Sequence, residues 1–239
     1  MGNRLQAWRH PVMEGLTVLA GILIAFSIDA WWDGQVQSGQ AESHLSALVD
    51  ELEAADSVYL RTLDYLDLHD ARVTRILAEA ESYSGNPLVM DSLLISLGPY
   101  ATSNAPMAAF DDLEGGGGLA TIEVAELRRA IAAYRRTVER NDLAERALAN
   151  YWLTEVMPYW DQKINTRRLA AIAAGGGLGP YLAEDLPPVA FDPNYGELLQ
   201  DRRFTNQLST WALQVARVRR SVMGVLEDNS SLRSLIESR

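Results

Sequence analysis

FTNQLSTWALQVARVRRSVMGVLEDNSSLRSLI, residues 204–236, carries its apolar side chains at Phe204, Leu208, Trp211, Val215, Val218, Val222, Val225, Leu232 and Ile236, with Asn229 at the one remaining position of the series. Steps of three and four keep these residues on one face of a helix, because a turn takes 3.6 residues. A face of this kind must be buried against another helix, and a single polar residue within it commonly sets register. The stretch therefore predicts a long amphipathic helix in a helical bundle.

The same spacing recurs upstream. Leu45, Leu48, Leu52, Ala55, Tyr59, Leu66, Val73 and Ile76 form one stripe, which Ser82–Pro87 terminates with Gly85 and Pro87. Leu127, Ile131, Tyr134 and Val138 form another, running on through Leu148 and Trp152 to Pro158, where a kink or break is expected. Asn141 and Glu145 lie near this second stripe and mark either a drift of its face or a polar break in the core. Between the long helices, Leu88–Leu97 and Met107–Leu113 predict short ones. Gly115–Gly118 predicts a flexible turn, with Thr121 as N-cap of the next helix. Gly175–Tyr195 (GGGLGPYLAEDLPPVAFDPNY) predicts a long Gly/Pro-rich loop, of a length unusual in a compact domain. No strand pattern competes. The predicted fold class is all-α: three long helices and several short ones in an antiparallel bundle.

The N-terminus differs in kind. Gly15–Ile28 (GLTVLAGILIAFSI) carries no charge, and Val12–Trp32 extends it to 21 residues with one acid near each end, Glu14 and Asp29. About 20 apolar residues cross a bilayer core. Trp8 on one side and Trp31 and Trp32 on the other stand where interfacial anchors stand, roughly 35 Å of helix apart. The run ends without the small residues of a cleavage site, which favours a retained transmembrane helix over a signal peptide. Arg4 and Arg9 precede the span, and Asp29 and Asp33 follow it. The positive-inside rule then places the N-terminus in the cytoplasm and the rest outside. Thr17, Gly21 and Ala25 recur every four residues, a ridge of small residues that lets another helix, or a second copy of this one, approach closely. The resulting organisation is a stub and anchor over 1–33 and an extramembrane bundle over 34–239. The first long stripe either continues from the anchor helix with little break or hinges on it at Gly34 and Gly39.

Composition narrows the chemistry. The 239 residues carry a net charge of −11 and no cysteine; residues 1–33 account for −1 of it and the remainder for −10. Disulfides, thiolate metal sites and cysteine nucleophiles are excluded, and the acidity argues against a nucleic-acid partner. No Glu-x-x-His of a di-metal bundle, no Gly-x-Ser-x-Gly and no phosphate loop occurs. His69 falls on the first stripe and reads as a buried, hydrogen-bonded histidine rather than a ligand. Asp50-Glu51 and Asp111-Asp112 read as solvated charge. Arg135-Arg136, Arg167-Arg168 and Arg217 with Arg219-Arg220 read as ion-pairing faces. Trp152, Trp160 and Trp211 suit a core or interface, and an aromatic ligand cage would require them to cluster.

Taken in order, Glu14, Val18, Gly21-Ile22-Leu23-Ile24-Ala25, Ile28 and Trp31 or Trp32 are followed by Phe110, Leu113, the glycine run, Leu119, Ile122, Leu127-Arg128, Ile131 and Tyr134. This order resembles an uncharacterised bacterial family of single-pass membrane-anchored proteins, classed as a domain of unknown function, with a GILIA-type N-terminal helix. The resemblance covers roughly the first 140 residues, and four glycines stand where members show a shorter Ser/Gly turn. It implies a membrane anchor and a helical domain, with Glu14, Phe110, Leu113, Leu127, Arg128 and Tyr134 as motif positions, and it implies no reaction.

The expectation is a non-enzymatic single-pass protein of a bacterial inner membrane with a periplasmic bundle. It would need no cofactor or metal and would partner the lipid bilayer and the subunits of a larger membrane complex of respiratory, photosynthetic or transport type. The alternative is an extracytoplasmic ligand-binding sensor that signals laterally through a partner.

Overall fold

The computed structural model describes residues 4–83, 85–97, 102–166, 168, 169 and 193–238; the side chains of residues 4–18, 20, 33 and 37 lie outside that description. Among the described residues every regular element is helical: α1 (Arg4–Ser82), α2 (Pro87–Ile95), α3 (Ala108–Gly115), α4 (Gly118–Thr121), α5 (Ala125–Tyr151), a π-helical turn (Trp152–Val156), α6 (Met157–Lys163), α7 (Tyr195–Gln200) and α8 (Arg202–Glu237). The chain is all-α. The predicted loop at 175–195 falls outside the described residues up to residue 192.

Two compact units are present, Met1–Glu51 with Met107–Arg128, and Leu52–Pro106 with Arg129–Arg239. In the second unit the three stripes are the core. Leu52, Ala55, Tyr59, Leu66, Val73 and Ile76 of α1 are buried, as are Ile131, Tyr134 and Leu148 of α5 and Phe204 through Leu232 at seam positions of α8. Thr62 and His69 occupy the seam positions that the apolar series of α1 left open, and both are buried. Each seam repeats every seven residues, the period at which helices pack along their length. On α5 the face is turned slightly from the expected one: Thr137 is buried and Val138 only half so. Thr137 is held there by its hydroxyl, which donates to Asp228 Oδ2 at 2.6 Å.

Cross-helix pairs define the directions. Asp56 meets Arg233 at 2.9 Å and Asp67 meets Arg219 at 2.6 Å, so α1 and α8 run antiparallel. Thr137 pairs with Asp228 and Tyr151 with the Gln207 carbonyl, so α5 and α8 are antiparallel too. Hence α1 and α5 are parallel, which corrects the expectation of a uniformly antiparallel bundle. The segment between them has three short helices, enough chain to return to the starting end before α5 begins.

Other expectations need correction. Of the two readings for Gly34 and Gly39, the continuous helix is the one observed and the hinge is not: α1 runs through both, because an interior glycine costs only about 1 kcal/mol against a long cooperative helix. Thr121 does not cap α5; its hydroxyl bonds back to the Gly118 carbonyl at 2.7 Å and closes α4. Pro158 does not break the chain. It sits in the first turn of α6, and the preceding turn widens to π geometry, which accommodates the missing N–H and the ring.

In the first unit, Phe110 and Leu113 of α3 are buried with Leu48, Ile122 and Leu127. Glu51, expected to be solvated, instead caps α3: its carboxylate accepts from the backbone N–H of Ala109 at 2.8 Å and of Phe110 at 3.3 Å. The glycine run is a tight turn rather than a flexible one. Gly117 has φ +75°, and a Cβ on Gly118 would stand 3.3 Å from the Leu113 backbone and 3.4 Å from the His44 ring. Gly117→Ala should therefore cost about 1–2 kcal/mol in chemical denaturation, whereas Gly115→Ala, which meets nothing within 4 Å, should leave stability unchanged or slightly raised.

Candidate functional site

The most unusual surface is on α1. Leu19, Ile22, Leu23, Ile24, Phe26, Ile28, Trp31 and Trp32 are all exposed, Ile24 at 60% and Phe26 at 67%. Every residue from Gly21 to Trp32 is exposed, so the apolar surface encircles the helix rather than forming a stripe. Ser27, the hydroxyl within it, donates to the Leu23 carbonyl at 2.7 Å and so is satisfied within its own helix. Gly21 and Ala25 are open, with nothing within 4 Å of a Cβ at Gly21. Trp8, Glu14 and Thr17 lie outside the described side chains. Among the described residues no helix is long and apolar enough to cross a membrane, and the side chains of the first part of Val12–Trp32 lie outside the description.

The three tryptophans of the second unit do cluster. Trp152 lies edge-on to both Trp160 and Trp211 at 5.1 Å, and Phe204 stands 6.3 Å from Trp160. The space between them, closed by Leu97, Val156 and Leu208, is about 10 Å³, enough for about one water. The cluster is thus a packed core that joins the π-helical turn, α6 and α8, not a cage with an open interior.

His69 packs against this cluster, 6.2 Å from the Trp211 ring and 4.3 Å from Tyr65. It is buried, as expected, but neither ring nitrogen finds a hydrogen-bond partner among the described residues, contrary to expectation. Burial, and secondarily the Arg72 cation, lowers its pKa from 6.5 to about 4.

Two buried carboxylates organise the polar interior. Asp91 on α2 accepts from the Tyr195 hydroxyl and from Arg168 Nε at 2.7 Å, which ties α7 and the chain after α6 to α2. Burial and then the Asp91 acceptor push the Tyr195 phenol well above its ordinary value. Glu145 is the polar break suspected on α5: it accepts from the backbone N–H of Ser103 at 3.0 Å, the Ser103 hydroxyl at 2.7 Å and Asn141 Nδ2 at 2.9 Å. Asn229 donates to the Leu52 carbonyl at 2.8 Å and to Asp56 at 2.9 Å, a register contact at a seam position.

The motif positions whose side chains are described are structural. Phe110, Leu113 and Leu127 are core residues of the first unit, and Tyr134 is buried in the second. Arg128 Nη1 donates to the Ile122 carbonyl and, at 3.1 Å, to that of Glu123, so it holds the turn between α4 and α5. One member of each basic cluster forms an ion pair, Arg135 with Glu139, Arg168 with Asp91 and Arg219 with Asp67. Among the described residues no group of three or more His, Asp or Glu side chains is placed to hold a metal ion. Asp91 and the capping role of Glu51 escaped the sequence reading, since their partners lie 58 to 104 residues away. No family model matches the chain, and no curated protein or solved structure is significantly similar to it.

Two outcomes follow. Asp91→Ala leaves the Tyr195 hydroxyl and Arg168 without their acceptor and should cost about 3–5 kcal/mol in urea unfolding, with Asp91→Asn costing less. For His69 the folded pKa lies below the unfolded one, so between about pH 6.5 and about 4 the unfolded chain takes up a proton that the folded chain refuses. Stability should fall as pH drops through that window, and His69→Leu should narrow the difference in melting temperature between neutral and acid buffer. An unchanged difference would show that the imidazole does not contribute.

Proposed function

We propose that the chain is a non-enzymatic single-pass protein of a bacterial inner membrane, anchored by α1 around Val12–Trp32, with its helical body outside the cytoplasm. Its role is that of an accessory subunit in a larger membrane protein complex. The observation that carries this reading is the encircling apolar surface from Gly21 to Trp32. In water, exposing side chains of this size on every face is unfavourable by roughly 25 cal/mol per Å² of apolar area. A helix that is apolar all round belongs in a protein core or in a bilayer. Among the described residues none covers it, and the tryptophans at its end and the intrahelical bond of Ser27 suit an interface and a hydrocarbon interior. The lack of a recognisable catalytic constellation among the described residues supports a binding role over a chemical one, and the open Gly21–Ala25 edge supports contact with another membrane helix.

The test is extraction. After expression in a two-membrane bacterium, the full chain should sediment with membranes and resist alkaline carbonate. Replacing Leu23 and Ile24 by lysine, at about 2.5–3.5 kcal/mol each at mid-bilayer, should release it. Solubilisation in mild detergent should retain a partner at fixed stoichiometry. A parent chain found wholly in the soluble fraction would overturn the anchor, and a monodisperse monomer at native abundance would overturn the accessory role.

A further inference from the structure

Three buried polar atoms of the second unit belong to side chains that line the same cavity. Trp160 Nε1, Trp211 Nε1 and Gln207 Oε1 each have no hydrogen-bond partner among the described residues, and their side chains are only 4%, 2% and 7% exposed. All three side chains line the space of about 10 Å³ inside the tryptophan cluster, whose wall includes Leu97, Val156 and Leu208. Buried polar groups are almost always hydrogen-bonded, because leaving one unpaired forfeits its contact with water for nothing in return.

None of the three can be served by turning a side chain. The Gln207 amide is fixed end for end, because its Nε2 donates to the Glu155 carbonyl of the π turn at 2.5 Å and a carbonyl only accepts. The residue is held at its backbone too, where its carbonyl accepts from the Tyr151 hydroxyl at 3.3 Å. The two indoles are held by Trp152, which lies edge-on to each of them at 5.1 Å. Swinging either ring toward another acceptor would undo that aromatic packing. The cavity therefore has two fixed donors, one on α6 and one on α8, and one fixed acceptor.

We infer that this cavity is a binding site for one ordered water molecule, which accepts from the indole N–H groups of Trp160 and Trp211 and donates to Gln207 Oε1. The volume is that of a single water, and three hydrogen bonds are the usual number for a buried one. The donor and acceptor set selects the same occupant. An indole only donates and an amide oxygen only accepts, so the ligand must have both lone pairs and a proton. An ammonium ion has no lone pair for the indoles, a halide has no proton for Oε1, and an organic molecule exceeds the space. The bound water extends a chain of hydrogen bonds from the Glu155 carbonyl through Gln207 to the indoles of α6 and α8. The turn that Pro158 widens is thereby tied to the aromatic core by polar as well as apolar contacts.

The experiment is NMR of the full chain in detergent micelles, read at the indole N–H resonances of Trp160 and Trp211, which Trp160→Phe and Trp211→Phe assign. Both protons should show a dipolar cross-peak at the water frequency, with opposite signs in the laboratory and rotating frames, as a water that tumbles with the protein gives. Gln207→Met removes the acceptor, and Val156→Ile adds a methylene on the cavity wall. Each should abolish both cross-peaks while the indole resonances persist, and Val156→Ile leaves every side chain that bonds the water in place should Gln207→Met fail to fold. The inference is overturned if neither indole shows the cross-peak in the parent chain, or if the signs are equal and so report exchange with bulk water. It is equally overturned if both variants keep the parent's cross-peaks, or if Val156→Ile raises the melting temperature, as filling a dry apolar void does.

Discussion

A helix whose apolar residues repeat every seven positions can keep one seam facing inward only if its neighbours supply a matching seam over the same length. The second unit rests on that constraint. Val215, Val218, Val222 and Val225 in the middle of α8 are buried, with Leu52 to Ile76 of α1 and Ile131 to Leu148 of α5 buried in the same unit. Apolar burial is non-directional, so the seams by themselves would tolerate a slip by one heptad. The polar residues within them remove that freedom. Asn229 has only one place to donate where it meets both the Leu52 carbonyl and Asp56, and Thr137 only one where it meets Asp228. Each slipped arrangement would strand a buried polar group, at about 1–3 kcal/mol apiece.

The same logic explains the irregular part of the unit. Short helices such as α2 and α7 bury too little apolar area to fix their own position. Asp91 does so instead, because a fully buried carboxylate must find its donors, and it takes them from Tyr195 and Arg168 on either side of the segment after α6. Glu145 performs the corresponding task for the chain around Ser103. Both carboxylates sit where a hydrophobe would have been equally buried. What each adds is direction: a hydrogen bond defines which backbone lies against which side chain.

Periodicity made the long helices legible, since each residue of the α8 series from Phe204 to Leu232 is buried at the spacing read from the chain. The errors share one cause. Thr137 displaced Val138 because a partner on α8 rewarded its hydroxyl, and Glu51 became a cap because α3 begins beside it. The parallel course of α1 and α5 depends on how far the short helices carry the chain back, a three-dimensional sum that no local pattern records. Pro158 was correctly marked as incompatible with a regular helix, but the choice between a break and a π turn is made by the packing of Trp152, Val156 and Trp160.

Charge separates the two kinds of surface on this molecule. Residues 34–239 carry −10, whereas Gly21 to Trp32 hold one ionisable group, Asp29. Anionic lipid surfaces repel an acidic body and attract clustered Lys and Arg, at about 1 kcal/mol per basic residue near the surface. A body of this charge gains nothing from lying on such a surface, so on the anchored reading its hold on the bilayer comes from α1 alone. The body's own surface is then left for partners that tolerate or complement negative charge.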